Sequence, residues 1–275
     1  MWEALQFEFM RNALLAGILV SITCGLIGSL VVVNRIVFIS GGIAHAAYGG
    51  IGLAFYAGIS PTLGAAGFSV LVSLIMGLIS MKSKHRADTY IGVLWAIGMA
   101  VGVILIDLTP GYNVDLMSYL FGSILAVPKT DLWFMVPMDM FILLVVLIFY
   151  KEFIAMSYDE EFAFVVGIPV RVLYLILLCM IGLSVVMIIR VVGLILVIAL
   201  LTIPPYIAEK YTRSLGRMMV LASLLGILFT LSGLWLSYRF NLTSGATIIM
   251  VAGVAFLFSQ VADRIGGGRK QALEG

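Results

Sequence analysis

The sequence predicts an all-α protein, a polytopic transmembrane bundle of eight or nine helices. The chain is 63% hydrophobic and only 11% charged, where a soluble domain carries roughly 25% charged residues. Between Ile36 and Met81 it has no Lys, Arg, Asp or Glu. About 20 apolar residues cross a bilayer, so that stretch is long enough to cross twice. Charge-poor segments recur along nearly the whole remaining length and leave no room for a separate soluble domain. Residues 1–265 therefore read as one transmembrane domain. Residues 266–275, opening Gly266-Gly267-Gly268-Arg269-Lys270, read as a flexible, solvated tail.

Taken in order, the first span is Asn12–Val33. Glu3 and Glu8 precede it, without the basic segment that opens a cleaved signal peptide. In the uncharged stretch that follows, Ser40-Gly41-Gly42 stands before His45, and Gly49, Gly50 and Gly52 stand after it. Glycines at this density allow close helix approach and also a local break. A broken or re-entrant segment around Gly41–Gly58 reduces the count to eight. Thr89–Ile106 comes next, with Asp107 at its end and Asp115 in the following loop. Carboxylates there attract cations toward a pore mouth or are ordinary interface residues.

Leu132–Tyr150 contains Asp139, an expensive residue at membrane depth. A boundary nearer Met138 puts it among the headgroups, and that cheaper placement is the expectation adopted. Val172–Ile189 and Val191–Ala208 follow. In the latter, Pro204-Pro205 should kink or end the helix, and the backbone groups so freed must be buried in protein or line a cavity. Met218–Tyr238 and Phe240–Ala262 complete the set. Cys24 and Cys179 lie inside apolar spans, with no CxxC or Cys/His cluster, and read as packing residues.

The net charge of +2 is uninformative, but its distribution orients the chain. Lys82, Lys84 and Arg86 share one loop, Lys151 and Arg171 flank another, and Lys210, Arg213 and Arg217 fill a third. Arg264, Arg269 and Lys270 follow the last span, and all of these fall on one side. The positive-inside rule makes that side cytoplasmic. The C-terminus is then inside, and nine spans put the N-terminus outside. The partner read from composition is the lipid bilayer, not nucleic acid.

The segment Lys151–Arg171 is the most unusual cytoplasmic feature. Tyr158, Phe162 and Val165 recur at spacings of three and four, after an acidic start of Asp159, Glu160 and Glu161. That predicts a short amphipathic helix with favourable charges at its N-terminus, ended by Gly167 and Pro169. Such a helix either lies on the lipid surface or docks against a soluble partner.

Catalytic motifs are absent. The chain has no GxxxxGK[ST], HExxH or GxSxG, so it does not hydrolyse ATP by P-loop chemistry. Any ATP-driven process needs a partner subunit. His85, in the basic run KSKHR, reads as a solvated loop residue. His45 is the one histidine inside a span. An ionisable group there suggests a transport or binding site, and imidazole is the commonest ligand for transition metals. The alternative is a helix-packing histidine. From the residues alone, a stand-alone secondary transporter or channel stays open, whereas an intramembrane enzyme lacks paired catalytic groups.

Several runs together resemble one family. FISGGIAHAAYGGIGLAF (Phe38–Phe55), RADTYIGVLWAIGMAVGVILI (Arg86–Ile106), SYLFGSILAV (Ser118–Val127) and SYDEEFAFVVGIPV (Ser157–Val170) are similar to segments of the membrane subunits of ABC-3 type metal transporters. VVGLILVIALLTIPPYIAE (Val191–Glu209) and GLWLSYRFNLTSGATII (Gly233–Ile249) extend the match over nearly the whole chain. The resemblance implies a homodimeric permease with two copies of a cytoplasmic ATP-binding subunit. It also implies an extracytoplasmic metal-binding protein, and a divalent ion (zinc, manganese or iron) carried as substrate, with no permanently bound cofactor. A permease for a metal chelate is the nearest alternative. His45 becomes the candidate metal ligand. Tyr158, Asp159, Glu160, Phe162, Ala163 and Gly167 become the candidate coupling helix that contacts the ATPase. One departure stands out. The family pattern has an aspartate four residues before the histidine, and Gly41 occupies that place here. Two imidazoles without two carboxylates suit zinc better than a hard ion such as Mn2+.

Overall fold

Long apolar runs in lipid must satisfy their backbone internally, and helices do so. The computed structural model describes residues 6–83, 86–110, 122 and 124–274, excluding the side chains of Arg190 and of residues 264–274. Among the described residues, nine helices are long and apolar enough to span a membrane. The first four are α1 (Glu8–Val33), α2 (Val37–Ala57), α3 (Pro61–Lys82) and α4 (Ala87–Asp107). After a 3-10 turn at Ile124–Ala126 comes α5 (Lys129–Ile148). Two short helices follow, α6 (Tyr150–Tyr158) and α7 (Glu160–Val165). The remaining spans are α8 (Val170–Ile189), α9 (Val191–Tyr211), α10 (Leu215–Phe240) and α11 (Ser244–Asp263).

The choice between eight and nine spans is settled by α2, which runs unbroken through its glycines. It is the least hydropathic span and also the most enclosed, with 78% of its window buried against 22% for α4 and for α5. Small residues make this possible, because they let backbones approach. A Cβ on Gly52 would stand 2.3 Å from the Gly102 carbonyl oxygen of α4, and one on Gly50 would stand 2.5 Å from the Gly64 oxygen of α3.

The ion pairs agree with the alternating topology. Lys129 and Glu8, at the N-terminal ends of α5 and α1, are 3.0 Å apart, and Lys210 and Asp263, at the C-terminal ends of α9 and α11, are 2.6 Å apart. Cys24 is buried, Cys179 is half-buried, and both are free thiols.

One expectation is narrowed and another needs correction. Pro204-Pro205 lies inside α9, which continues to Tyr211, so the prolines do not end that helix. The non-helical residue in this region is instead Gly193, near the start of α9, at φ 77° and ψ 169°. Pro205 supplies no N–H to the Leu201 carbonyl four residues earlier. That oxygen is enclosed by α1, where a Cβ on Gly28 would come within 2.5 Å of it. Asp139 is not at the headgroups. It lies mid-way along α5, 8% exposed, where the Thr23 hydroxyl of α1 donates to its Oδ1. An interhelical partner makes the buried carboxyl tolerable at that depth.

Candidate functional site

The site is built on α2 and α4. Between Phe38 and Leu53, His45 is the only α2 residue that is not buried. It continues an open stripe formed by Phe38, Leu53 and Tyr56, which is the face α2 turns away from the other helices. Ala44, Ala46 and Ala47 on either side are fully enclosed.

The imidazole lies flat on the indole of Trp95 in α4, with ring centroids 4.2 Å apart and an interplanar angle of 15°. Its Nδ1 is buried and has no hydrogen-bond partner. Among the buried side-chain nitrogens and oxygens of the described residues it shares that condition only with Asp139 Oδ2. One turn earlier, Gly41 offers no ligating atom beyond its backbone. A Cβ there would make an ordinary 3.5 Å contact with Ile198, so the position has room for a side chain. No cluster of three or more His, Cys, Asp or Glu occurs among the described residues. Among the described residues, His45 is the only histidine.

Trp95 belongs to a feature that sequence reasoning passed over. Trp95, Gly98 and Gly102 recur at spacings of three and four, which puts them on one face of α4. Gly98 and Gly102 press against Ala46 and the Tyr48 carbonyl of α2. That small-residue spacing was the available signal that α4 packs on α2 here. Of the acidic candidates, Asp107 is exposed at the end of α4. Asp115, Lys84 and His85 lie outside the described residues.

In the segment expected to be cytoplasmic, one short helix was expected and two occur. Tyr158 ends α6 and is not part of the second helix. Asp159 is the N-cap of α7, its Oδ1 accepting from the Phe162 N–H at 2.8 Å, and Glu160 and Glu161 supply the acidic first turn. Gly167, at φ 88°, closes α7, with Ile168 N–H donating to the Ala163 carbonyl and Gly167 N–H to that of Phe164. This is the paired bonding that favours glycine just past a helix end.

Ala163 is fully buried, so it anchors α7 to the bundle and presents nothing outward. Phe162, Phe164, Val165 and Val166 do face out, Phe164 at 73% and Val165 at 81% exposure. Asn34, in the turn between α1 and α2, donates to the Ser157 hydroxyl of α6 at 2.9 Å. A cavity of about 520 Å³ lies behind this junction, with Arg35, Asp88, Glu160 and Arg171 among its lining residues.

The ABC 3 transport family profile matches residues 6–263. The chain belongs to the ABC 3 transport family. It is similar to an uncharacterized membrane protein of Synechocystis, slr2045, at 56% identity over 259 residues, covering 94% of this chain and 92% of that one. It is 34% identical over 261 residues to the manganese transport system membrane protein MntC of Halalkalibacterium halodurans, covering 94% of this chain and 89% of that one. Among solved structures, PsaBC from Streptococcus pneumoniae in complex with Fab matches with a TM-score of 0.85 and 34% identity, covering 94% of this chain and 93% of that one. As an ABC 3 family permease with nine apolar spans among its described residues, the chain is a multi-pass plasma-membrane protein.

Proposed function

We propose that this chain is the permease subunit of an ATP-binding-cassette importer that carries a divalent transition-metal ion into the cytoplasm, with ATP hydrolysed by a partner subunit. The observation that carries the reading is His45, a half-buried imidazole midway along α2, on the open stripe of the most enclosed span, whose enclosed Nδ1 has no partner. An ionisable residue placed there faces a pathway or a partner. Relatives named for manganese transport support the class of cargo.

Two copies of the chain pair along the α2 stripe, so that two His45 imidazoles meet across the axis. Closed two-fold symmetry is the commonest assembly of this kind. Because Ala44, Ala46 and Ala47 face inward, a cysteine cross-link across this axis belongs at Leu53 or Tyr56. With Gly41 giving no carboxylate, the pair binds its ion loosely enough to release it. A closed four-ligand cage would instead hold zinc as a structural site does. On the cytoplasmic side, two ATP-binding subunits engage the exposed residues of α7. On the outside, a metal-binding protein delivers the ion.

The test is uptake of Mn2+, Fe2+ and Zn2+ by proteoliposomes, comparing the permease alone with the complex that includes its ATPase. The proposal requires uptake that depends on both ATP and the ATPase. Equal uptake by the permease alone would make it a secondary transporter or channel, and uptake of chelated but not free ion would shift the cargo to a chelate.

A further inference from the structure

We infer that Trp95 positions the His45 imidazole for metal and sets the selectivity of the transit site, an inference that rests on the reading of His45 as a ligand. A metal-binding histidine is ordinarily fixed by a hydrogen bond from its second nitrogen to a carboxylate, carbonyl or water. Among the described residues, no carboxylate or carbonyl accepts from the buried Nδ1 of His45. What holds the ring instead is the indole face at 4.2 Å and 15°.

The indole is itself fixed. Its Nε1–H donates to the Met99 sulfur, one turn on in α4, at 3.2 Å, and the Phe38 ring lies 6.2 Å from it on the other helix. Gly98 and Gly102 lock α4 against α2 immediately beyond. The imidazole plane is therefore dictated by α4, and neither ring nitrogen is consumed in fixing it.

Two consequences follow for the ion. Imidazole lone pairs lie in the ring plane, so a metal arrives alongside the indole, which walls one side with apolar surface. An ion that keeps a full water shell fits poorly there, while one that exchanges water for nitrogen donors fits well. Coordination also draws electron density out of the imidazole, and an electron-poor ring is attracted to the negative face of an indole. The stack thus tightens when metal binds. Trp95 acts through His45 and is a positioning residue.

The test separates this role from ordinary packing. In the reconstituted complex, Trp95→Leu retains apolar bulk while Trp95→Phe retains a stacking ring. Loss of an orienting neighbour costs about tenfold in metal affinity. Trp95→Leu should therefore raise the KM for uptake by about that factor and reduce the preference for Zn2+ over Mn2+, with Trp95→Phe restoring both. A second readout uses the other tryptophans. Trp133 is 80% exposed, Trp235 is also exposed, and Trp2 completes the set of four. With these three changed to Phe, Trp95 is the only indole of the purified permease, on which emission is read. Its emission should then shift on titration with Zn2+ or Mn2+, and the shift should vanish when His45→Ala is added.

Trp95→Leu with wild-type KM and selectivity, or an emission unmoved by either ion while uptake still requires His45, would overturn the inference and leave the ligand reading intact. Undiminished uptake in His45→Ala would overturn both.

Discussion

The glycine seam between α2 and α4 gives the sharpest prediction. A Cβ added at Gly52 would lie 2.3 Å from the Gly102 carbonyl oxygen and 2.7 Å from the Gly102 Cα. A carbon–oxygen contact settles near 3.3 Å, so α4 must retreat by about 1 Å. A gap of that size forfeits a quarter to a half of each dispersion contact along the seam. Overpacking of this kind costs about 1–3 kcal/mol, which outweighs the gain of at most about 1 kcal/mol that alanine brings to a helix interior. Gly41 is the internal control. Its Cβ would meet only Ile198, at 3.5 Å, so Gly41→Ala collects the helix gain without the clash. Gly52 and His45 are seven residues apart, about 10 Å along the helix, so the retreat also loosens the His45–Trp95 stack. In thermal unfolding of the detergent-purified permease, Gly52→Ala should melt below wild type and Gly41→Ala at or above it. The reconstituted complex with Gly52→Ala should also transport more slowly. A Gly52→Ala variant as stable as Gly41→Ala would refute the packing argument.

Three further outcomes are expected. Phe162→Asp should abolish ATP-driven uptake while leaving membrane insertion and the folded permease unchanged, since Phe162 points outward from α7; full uptake with normal ATPase stimulation would remove α7 as the contact. Thr23→Val strips the one hydrogen bond of Asp139 and should lower stability by about 1–2 kcal/mol, whereas adding Asp139→Leu should recover most of the loss, which a double-mutant cycle of thermal or denaturant unfolding measures. Gly41→Asp should tighten metal binding or turn uptake competition toward Mn2+, because it adds a carboxylate one turn from His45; unchanged competition between Zn2+ and Mn2+ would show that this face does not meet the ion.

Every membrane span was legible in the sequence, because hydrophobic runs of fixed length are a property of the chain itself. The number of spans was not, because the glycines of α2 are consistent with either a break or a tight contact. Neighbours brought in from α4 and α3, such as Gly102 and Gly64, distinguish them. Asp139 was misplaced for a similar reason, its partner Thr23 standing more than a hundred positions away. In the cytoplasmic segment the apolar spacing ran continuously through Tyr158, which concealed the cap at Asp159. The residues DEE already carried the N-cap signal that divides α6 from α7. His45 was found as an isolated polar group in an apolar stretch. Trp95 was missed because an aromatic in a lipid-soluble helix is unremarkable until its neighbour is known.

The most direct measurement is ATP-driven uptake of Mn2+ and Zn2+ by the reconstituted complex carrying His45→Ala, alongside wild type and across pH. Only neutral imidazole ligates, so acid removes the ligating form. Wild-type uptake attributable to His45 should fall as pH drops through the imidazole titration. His45→Ala should lose most uptake at every pH while its ATPase still couples to an intact permease. Wild-type rates in His45→Ala, with the same pH profile, would leave this residue a packing histidine and contradict the account.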